Sequence, residues 1–366
     1  MPLPENFNVH VVMIEPGLRK PLLIWLLLMT LLVWGMIVLG GVTRLTESGL
    51  SIVEWKPVTG IFPPMSEEGW QKELAEYRTS PQYQKINRGM SVSEFKQIYW
   101  LEYLHRLLGR LIGVFFLLPM LYFFIRYTLP GWLKWRLVGL FLLGGLQGVI
   151  GWYMVKSGLI DQPMVSPYRL ALHLGTAFLI IGLLVWTALE VRYPNDSREH
   201  LLNSAPRSGP FIAGMIVLLI FLQVVFGALV AGLDAGLIYN TFPLMDGRWI
   251  PKGLYIMEPE WRNHFENVTM VQFQHRVLAM VLGAILLLFA AWMARDAIYG
   301  RLSRRFMLLL IVFAAQFALG VSTLVLNVPL MLASMHQAVA AILFAFSIWI
   351  WYAMRYGHGY RLSDAK

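Results

Sequence analysis

The sequence predicts an all-α integral membrane protein in which eight transmembrane helices form two tandem four-helix bundles related by a pseudo-two-fold axis along the membrane normal. Three observations carry this expectation. The 366 residues are 57% hydrophobic and only 14% charged, with a mean hydropathy of +0.59, too apolar for a chain solvated by water. Eight stretches are each roughly 20 residues of mainly apolar character, the length a helix needs to cross about 30 Å of hydrocarbon. The second half of the chain also echoes the first.

In order, the stretches are Pro21–Val42, His105–Tyr127, Leu133–Val155, Leu170–Leu189, Phe211–Ala231, Phe273–Met293, Phe306–Leu326 and Met331–Tyr352. The first is long and runs into Gly40-Gly41-Val42-Thr43-Arg44 rather than a small-residue cleavage site, so it is expected to stay in the mature protein. Met1 to Lys20 lacks the Arg-rich, acid-poor pattern of a mitochondrial transit peptide, as Glu5 and Glu15 show. A bacterial inner membrane is the simpler location.

The net charge of +9 sorts by membrane side rather than into a nucleic-acid stripe. With alternating spans, Arg19 and Lys20; Arg126, Lys134 and Arg136; Arg192, Arg198 and Arg207; Arg295, Arg301, Arg304 and Arg305; and Arg355, Arg361 and Lys366 all share one side. The positive-inside rule makes that side cytoplasmic, and both termini with it. Membrane lipid is thus an expected partner and nucleic acid is not. Cysteine is absent, which excludes disulfides, thiolate ligands and iron–sulfur clusters.

The duplication is sparse but falls at telling positions. Gly40-Gly41-Val42-Thr43-Arg44-Leu45-Thr46-Glu47-Ser48-Gly49-Leu50 parallels Gly227-Ala228-Leu229-Val230-Ala231-Gly232-Leu233-Asp234-Ala235-Gly236-Leu237, and each run leads to a Phe-Pro pair, Phe62-Pro63 and Phe242-Pro243. Leu104-His105-Arg106-Leu107 parallels Gln274-His275-Arg276-Val277, Gln147 with Gly151 parallels Gln316 with Gly320, and Leu172-His173 parallels Met335-His336. Each half has an even number of spans, so the halves share one orientation and the repeat is parallel. The expected division is residues 1–205 and 206–366.

The outer loops are unequal. Thr43 to Tyr99 is long and polar, with Pro57, Pro63 and Pro64, whereas Asn327 to Leu330 is a tight turn. Glu67–Tyr77 has the pattern of a short amphipathic helix lying over the outer face, as does part of Met257–Asn267.

Eight histidines are present, of which His10, His200, His264 and His358 fall in tails or loops. His105, His173, His275 and His336 instead lie near the outer ends of the second, fourth, sixth and eighth spans, at similar depth. An imidazole in hydrocarbon is costly unless hydrogen-bonded or ligating. Packing has no reason to choose the same residue four times at repeated positions, so these four are candidate ligands. Within each half the even spans run parallel, so His105 can face His173 and His275 can face His336. Two isolated histidines per bundle do not complete a tetrahedral zinc site, whereas heme iron needs two axial ligands.

Around these residues several readings stand side by side. Gly144-Gly145 and Gly148-Val149-Ile150-Gly151-Trp152 suit either the approach of a flat macrocycle or ordinary small-residue helix packing. Arg106 and Arg276 suit either a propionate carboxylate or snorkelling to lipid phosphate. Glu102, three residues before His105, shares its helix face, while Gln272 stands before His275. A carboxylate there suits either proton handling at the heme edge or a common interfacial role. The asymmetry implies that the two sites do different work.

Gly40-Gly41-Val42-Thr43-Arg44-Leu45-Thr46-Glu47-Ser48-Gly49-Leu50-Ser51, Glu54-Trp55-Lys56-Pro57-Val58-Thr59-Gly60, and Glu94-Phe95-Lys96 leading to Glu102-Tyr103-Leu104-His105-Arg106 together resemble the heme A synthase family over nearly the whole chain. The resemblance implies an oxidoreductase acting on a CH group, which oxidises the C8 methyl of heme O to the formyl of heme A for terminal oxidase assembly. It implies a prosthetic heme b on His275 and His336, substrate heme O on His105 and His173, and a catalytic Glu102. Heme O synthase, an electron acceptor and oxidase assembly factors are the partners it brings to mind, with the heme sites towards the periplasm. Some members carry cysteine pairs in outer loops; this chain resembles the cysteine-free branch. The rival from another class is a diheme b-type electron-transfer membrane cytochrome, although four ligands on one side disfavour transfer across the membrane. A transporter is the third reading, against which stand unbroken spans with few charges.

Overall fold

A computed structural model describes residues 14–55, 59–159, 163–193, 208–295 and 299–356. His10, His200, His358, Arg198, Arg207, Arg361, Lys366 and Pro57 lie outside the described residues. In chain order the helices are α1 (Pro16–Leu45), α2 (Glu67–Arg78), α3 (Pro81–Lys85), α4 (Val92–Arg126), α5 (Gly131–Gly158), α6 (Pro167–Arg192), α7 (Ser208–Gly232), α8 (Asn263–Glu266), α9 (Val268–Ala294), α10 (Gly300–Val325) and α11 (Leu330–Arg355). Eight of them, α1, α4, α5, α6, α7, α9, α10 and α11, are long and apolar enough to cross a membrane. The chain is a multi-pass, all-α membrane protein, and no strand occurs among the described residues.

Every spanning helix begins before the apolar stretch that predicts it, and in two of them a side chain caps the first turn: Ser91 before α4 and Asn267 before α9. The extension is longest at α4. There the Ser91 hydroxyl accepts from Glu94 N while the Glu94 carboxylate accepts from Ser91 N, a reciprocal capping box. From that start Phe95, Tyr99 and Tyr103 recur every four residues and bury one stripe against Ile52, Trp70, Leu74 and Tyr77. The expected amphipathic helix over Glu67–Tyr77 is α2, and its buried face forms this small aromatic core outside the bundle. At Met257–Asn267 the helix is reduced to a 3-10 turn, Glu260–Arg262, followed by the single turn of α8. The segment folds instead around buried Asn263 and Asn267. Asn263 Oδ1 accepts from Ile256 N and Met257 N, and Asn267 Oδ1 accepts from Thr269 N and Met270 N. His264, read as a loop residue, lies in α8 with its Nδ1 3.1 Å from Gln274 Oε1.

The parallel runs of the two halves adopt the same local structure. Glu47 and Asp234, at matching positions, both take left-handed backbone, with φ of 53° and 50°, and each opens a 3-10 turn, Ser48–Leu50 and Ala235–Leu237. Ser48 and Ala235, which follow them, are both completely buried.

Four helices form the centre. α1 packs on α4, α6 and α11; α6 also packs on α5, α7 and α11; and α7 and α11 touch each other and then α9 and α10 respectively. Aromatic rings fill the centre, with Phe178 5.6 Å from Phe344 and Trp186 4.9 Å from Trp351. Trp34 Nε1 donates to Ala338 O at 3.0 Å and Gln337 Nε2 to Ile37 O at 2.8 Å, tying α1 to α11. Outside the apolar zone Arg44 and Asp234 pair at 2.9 Å. The tightest contact of a glycine with another element's backbone comes where α7 ends, for a Cβ on Gly232 would stand 2.7 Å from Pro167 Cα.

That last contact is with backbone, which cannot move aside cheaply. Gly232→Ala is expected to cost about 1–3 kcal/mol and to lower the unfolding midpoint in detergent. Gly144→Ala, whose Cβ would meet nothing within 4 Å, is expected to leave the midpoint unchanged.

Candidate functional site

Each of the four candidate histidines is seated on a glycine of the preceding spanning helix. His105 in α4 faces Gly40 of α1, His173 in α6 faces Gly151 of α5, His275 in α9 faces Gly227 of α7, and His336 in α11 faces Gly320 of α10. The point where a Cβ would sit lies 3.4, 2.9, 3.2 and 2.8 Å from the respective ring. A Cβ at Gly151 or Gly320 would displace the imidazole, one at Gly227 would press on it, and one at Gly40 would just touch it, so the glycines allow close approach. Each lies about one and a half to two turns before its helix ends, and all four rings are half-buried. The four sit at one end of the bundle, as the sequence predicts. Among the described residues no three His, Asp or Glu converge as a metal-binding cluster.

Behind three of the glycines, one turn back, stands a glutamine whose amide holds the histidine. Gln147 Nε2 donates to His173 O at 2.8 Å. Gln223 Nε2 donates to His275 O at 3.0 Å and lies 3.1 Å from the ring Nδ1. Gln316 Nε2 lies 3.4 Å from His336 Nε2, while His336 Nδ1 is 3.2 Å from the Gln316 carbonyl. If Nδ1 carries the proton it donates to that carbonyl and leaves Nε2 as the free lone pair.

One turn before the first histidine of each pair, a loop is clamped to the histidine helix. Glu102 is 2% exposed. Its carboxylate accepts from Ser51 Oγ at 2.7 Å and Ile52 N at 2.8 Å, and pairs with Arg106 at 2.6 Å. Arg106 then donates to Ile52 O and Glu54 O and lies over the Trp55 ring. In the second half Gln272 Nε2 donates to Ala235 O and Ile238 O, both at 2.6 Å, and its Oε1 accepts from Arg276. Arg276 donates to Tyr239 O and Thr241 O. The two arginines thus turn inwards onto their own loops, and the Nε of buried Arg276 has no partner among the described residues. The clamps are built alike, but one contains a carboxylate and the other an amide.

Of the glycine run in α5, only Gly151 has a neighbour at its Cβ position, namely His173. Gly144, Gly145 and Gly148 meet nothing within 4 Å, so helix packing does not explain them. The sequence reading missed Ser51, the backbone of Ile52, and Gln223. For Gln223 a signal existed: Gln-x-x-x-Gly occurs in the third, fifth and seventh spans, before the glycine that seats a histidine. Ser51 carries no such mark, since only the fold of a long loop brings it to Glu102.

Removing the carboxylate should loosen this loop. Glu102→Ala leaves Ile52 N without its acceptor and Arg106 without its counter-charge in a buried place, a cost of about 3–5 kcal/mol, and limited proteolysis is expected to cut the 46–90 segment first. Glu102→Gln should be intermediate.

The chain matches the COX15-CtaA family, described as cytochrome oxidase assembly protein, over residues 23–348. It is 49% identical over 341 residues to the heme A synthase of Nitrosospira multiformis, covering 93% of this chain and 95% of that one. To the heme A synthase of Nitrosomonas eutropha it is 47% identical over 334 residues, 91% and 93% of the two chains. To that of Parvibaculum lavamentivorans it is 49% identical over 325 residues, 89% and 92%. With eight apolar helices, four glycine-seated histidines and a match that runs almost end to end, the chain belongs to the cytochrome oxidase assembly protein family in which heme A synthases are found.

Proposed function

We propose that the chain is a heme A synthase, an oxidoreductase that converts the C8 methyl of heme O to the formyl of heme A. The observation that carries the reading is the seating of four imidazoles on four glycines, in two pairs, with a carboxylate beside one pair and an amide beside the other. The donor set fits hemes: each pair of imidazoles would hold one heme iron, and the buried His173 Nδ1 and three glutamine amide oxygens have no partner among the described residues. On this reading His275 and His336 hold a prosthetic heme b, while His105 and His173 hold heme O. The bundles 1–205 and 206–366 are related by a pseudo-two-fold, which the matching 3-10 turns at residues 48–50 and 235–237 support. The protein sits in a bacterial inner membrane with both termini cytoplasmic and the heme sites periplasmic, a placement supported by the basic inner loops.

Taking a methyl to a formyl removes four electrons and adds one oxygen atom, so electrons and protons must pass to or from the site. Heme b supplies one-electron exchange beside the substrate site. The chain's own residues do the rest. Glu102, fixed by Ser51, Ile52 N and Arg106, is the group that accepts and returns protons at the substrate edge. Arg276, with its unused Nε, has a donor left for a propionate, whereas the corresponding contact of Arg106 would draw on a guanidinium whose Nε already donates to Glu102. The lipid-facing, neighbour-free glycines of α5 leave room for a membrane-soluble porphyrin. The electron acceptor, heme O synthase and oxidase assembly factors are partners the family suggests.

Expressed with a source of heme O, the protein should yield heme A on chromatography of extracted pigment, with low-spin bis-histidine bands in its spectrum. Glu102→Gln is expected to lower heme A formation by roughly 10²–10⁴-fold while those bands persist. Wild-type protein that carries two b-type hemes and makes no heme A would establish the electron-transfer cytochrome instead. In a second measurement, Gly320→Val should push the His336 ring aside and remove heme b while heme O remains bound.

A further inference from the structure

Three of the four histidines are backed by glutamine, and the fourth is not. One turn before Gly40, where the pattern of Gln147, Gln223 and Gln316 calls for an amide, stands Met36. Its thioether turns towards α4, with Cε 3.2 Å from the Cβ position of Gly109. Methionine offers no hydrogen to a carbonyl or ring nitrogen, so among the described residues neither the main-chain carbonyl nor the ring of His105 is held by an amide, whereas Gln147 holds His173 by its carbonyl and Gln223 and Gln316 reach the rings of His275 and His336. The ring also sits differently. At Gly151, Gly227 and Gly320 the atom nearest the glycine is Cε1, followed by Nδ1. At Gly40 it is Nε2 at 3.4 Å, the loosest of the four seats.

A ligand imidazole is ordinarily oriented by a second hydrogen-bonding group, and losing that group typically weakens metal affinity by about 10–100-fold. We propose that Met36 makes His105 the exchangeable ligand of the substrate site: heme O arrives and heme A leaves through the His105 side, while His173, whose main-chain carbonyl Gln147 holds and whose glycine seat is the closer at 2.9 Å against 3.4 Å, keeps the other face. The three amide-backed histidines are the retaining ones. The inference rests on the assignment of His105 and His173 to heme O, and it gives the two sites different residence times through one side chain in α1.

The test uses the whole protein, purified with heme O and heme b bound. Loss of each heme to excess apomyoglobin is followed by extraction and chromatography, and carbon monoxide binding to the reduced protein by difference spectroscopy. Met36→Gln is expected to slow heme O loss about tenfold and to diminish the carbon monoxide signal, leaving heme b loss unchanged. Met36→Leu, which restores no donor, should match wild type. Heme O loss from M36Q at the wild-type rate overturns the proposal. Should M36Q lose its heme b bands, signalling misfolding, the reciprocal Gln316→Met decides: faster heme b loss supports the proposal and an unchanged rate overturns it. Wild-type protein that binds heme b but never heme O or heme A fails at the earlier assignment, a result distinct from an unaltered M36Q.

Discussion

An imidazole inside a bilayer has no water to satisfy its nitrogens, and that constraint organises this molecule. The answer is repeated four times. A glycine removes the side chain that would keep two helices apart, the ring enters the gap, and in three cases an amide one turn away binds the same histidine. The close approach of α1 to α4, α5 to α6, α7 to α9 and α10 to α11 at one end of the bundle is set by these contacts. The other ends are free to pack by aromatic rings such as Trp186 and Trp351. A polar requirement at one end and an apolar one at the other give the bundle its polarity.

The same logic extends to the loops above the rings. Irregular backbone near hydrocarbon is tolerated only where its N–H and C=O groups are satisfied within the protein. Glu102 with Arg106, and Gln272 with Arg276, each serve one loop from one helix face, four residues apart. The amide in the second half does this without charge. The buried ion pair in the first half does the same task at a desolvation cost that an amide avoids. Stability alone gives no reason to keep the costlier version, and this is the strongest physical argument for a chemical role at Glu102.

The eight spans, the four histidines and the Glu–Gln difference were legible in the sequence because each depends on local composition or on one position compared with its repeat. The helix starts were not, since they depend on caps such as Ser91 and Asn267 lying beyond the apolar stretches. The seating of the histidines was half legible. Gln147 with Gly151 and Gln316 with Gly320 were visible as a repeated pair, but a glycine in a membrane helix has many uses, and only the packing shows that each faces an imidazole. Arg106 and Arg276 illustrate the reverse difficulty. Their types suit an anion or a headgroup, yet a guanidinium has five donors, and here most are taken by loop carbonyls that no local pattern brings near them.

α1 occupies a special place in this arrangement. Gly40 on one side of it seats His105, and Ile37 O and Gly41 on the other receive Gln337, the residue next to His336. The repeat has Ala228 where Gly41 stands and Leu174 where Gln337 stands, so a polar contact in one copy is exchanged for apolar residues in the other. The half-buried polar bond is worth keeping only where it does something packing does not, and with the Trp34–Ala338 bond it fixes the register of α1 against α11. One turn of α1 therefore sets the position of the His105 seat relative to His336. Movement of that turn away from His105 would strain the Ile37–Gln337 bond, so α1 ties the His105 seat to the helix of His336, beside the direct packing of α6 on α11.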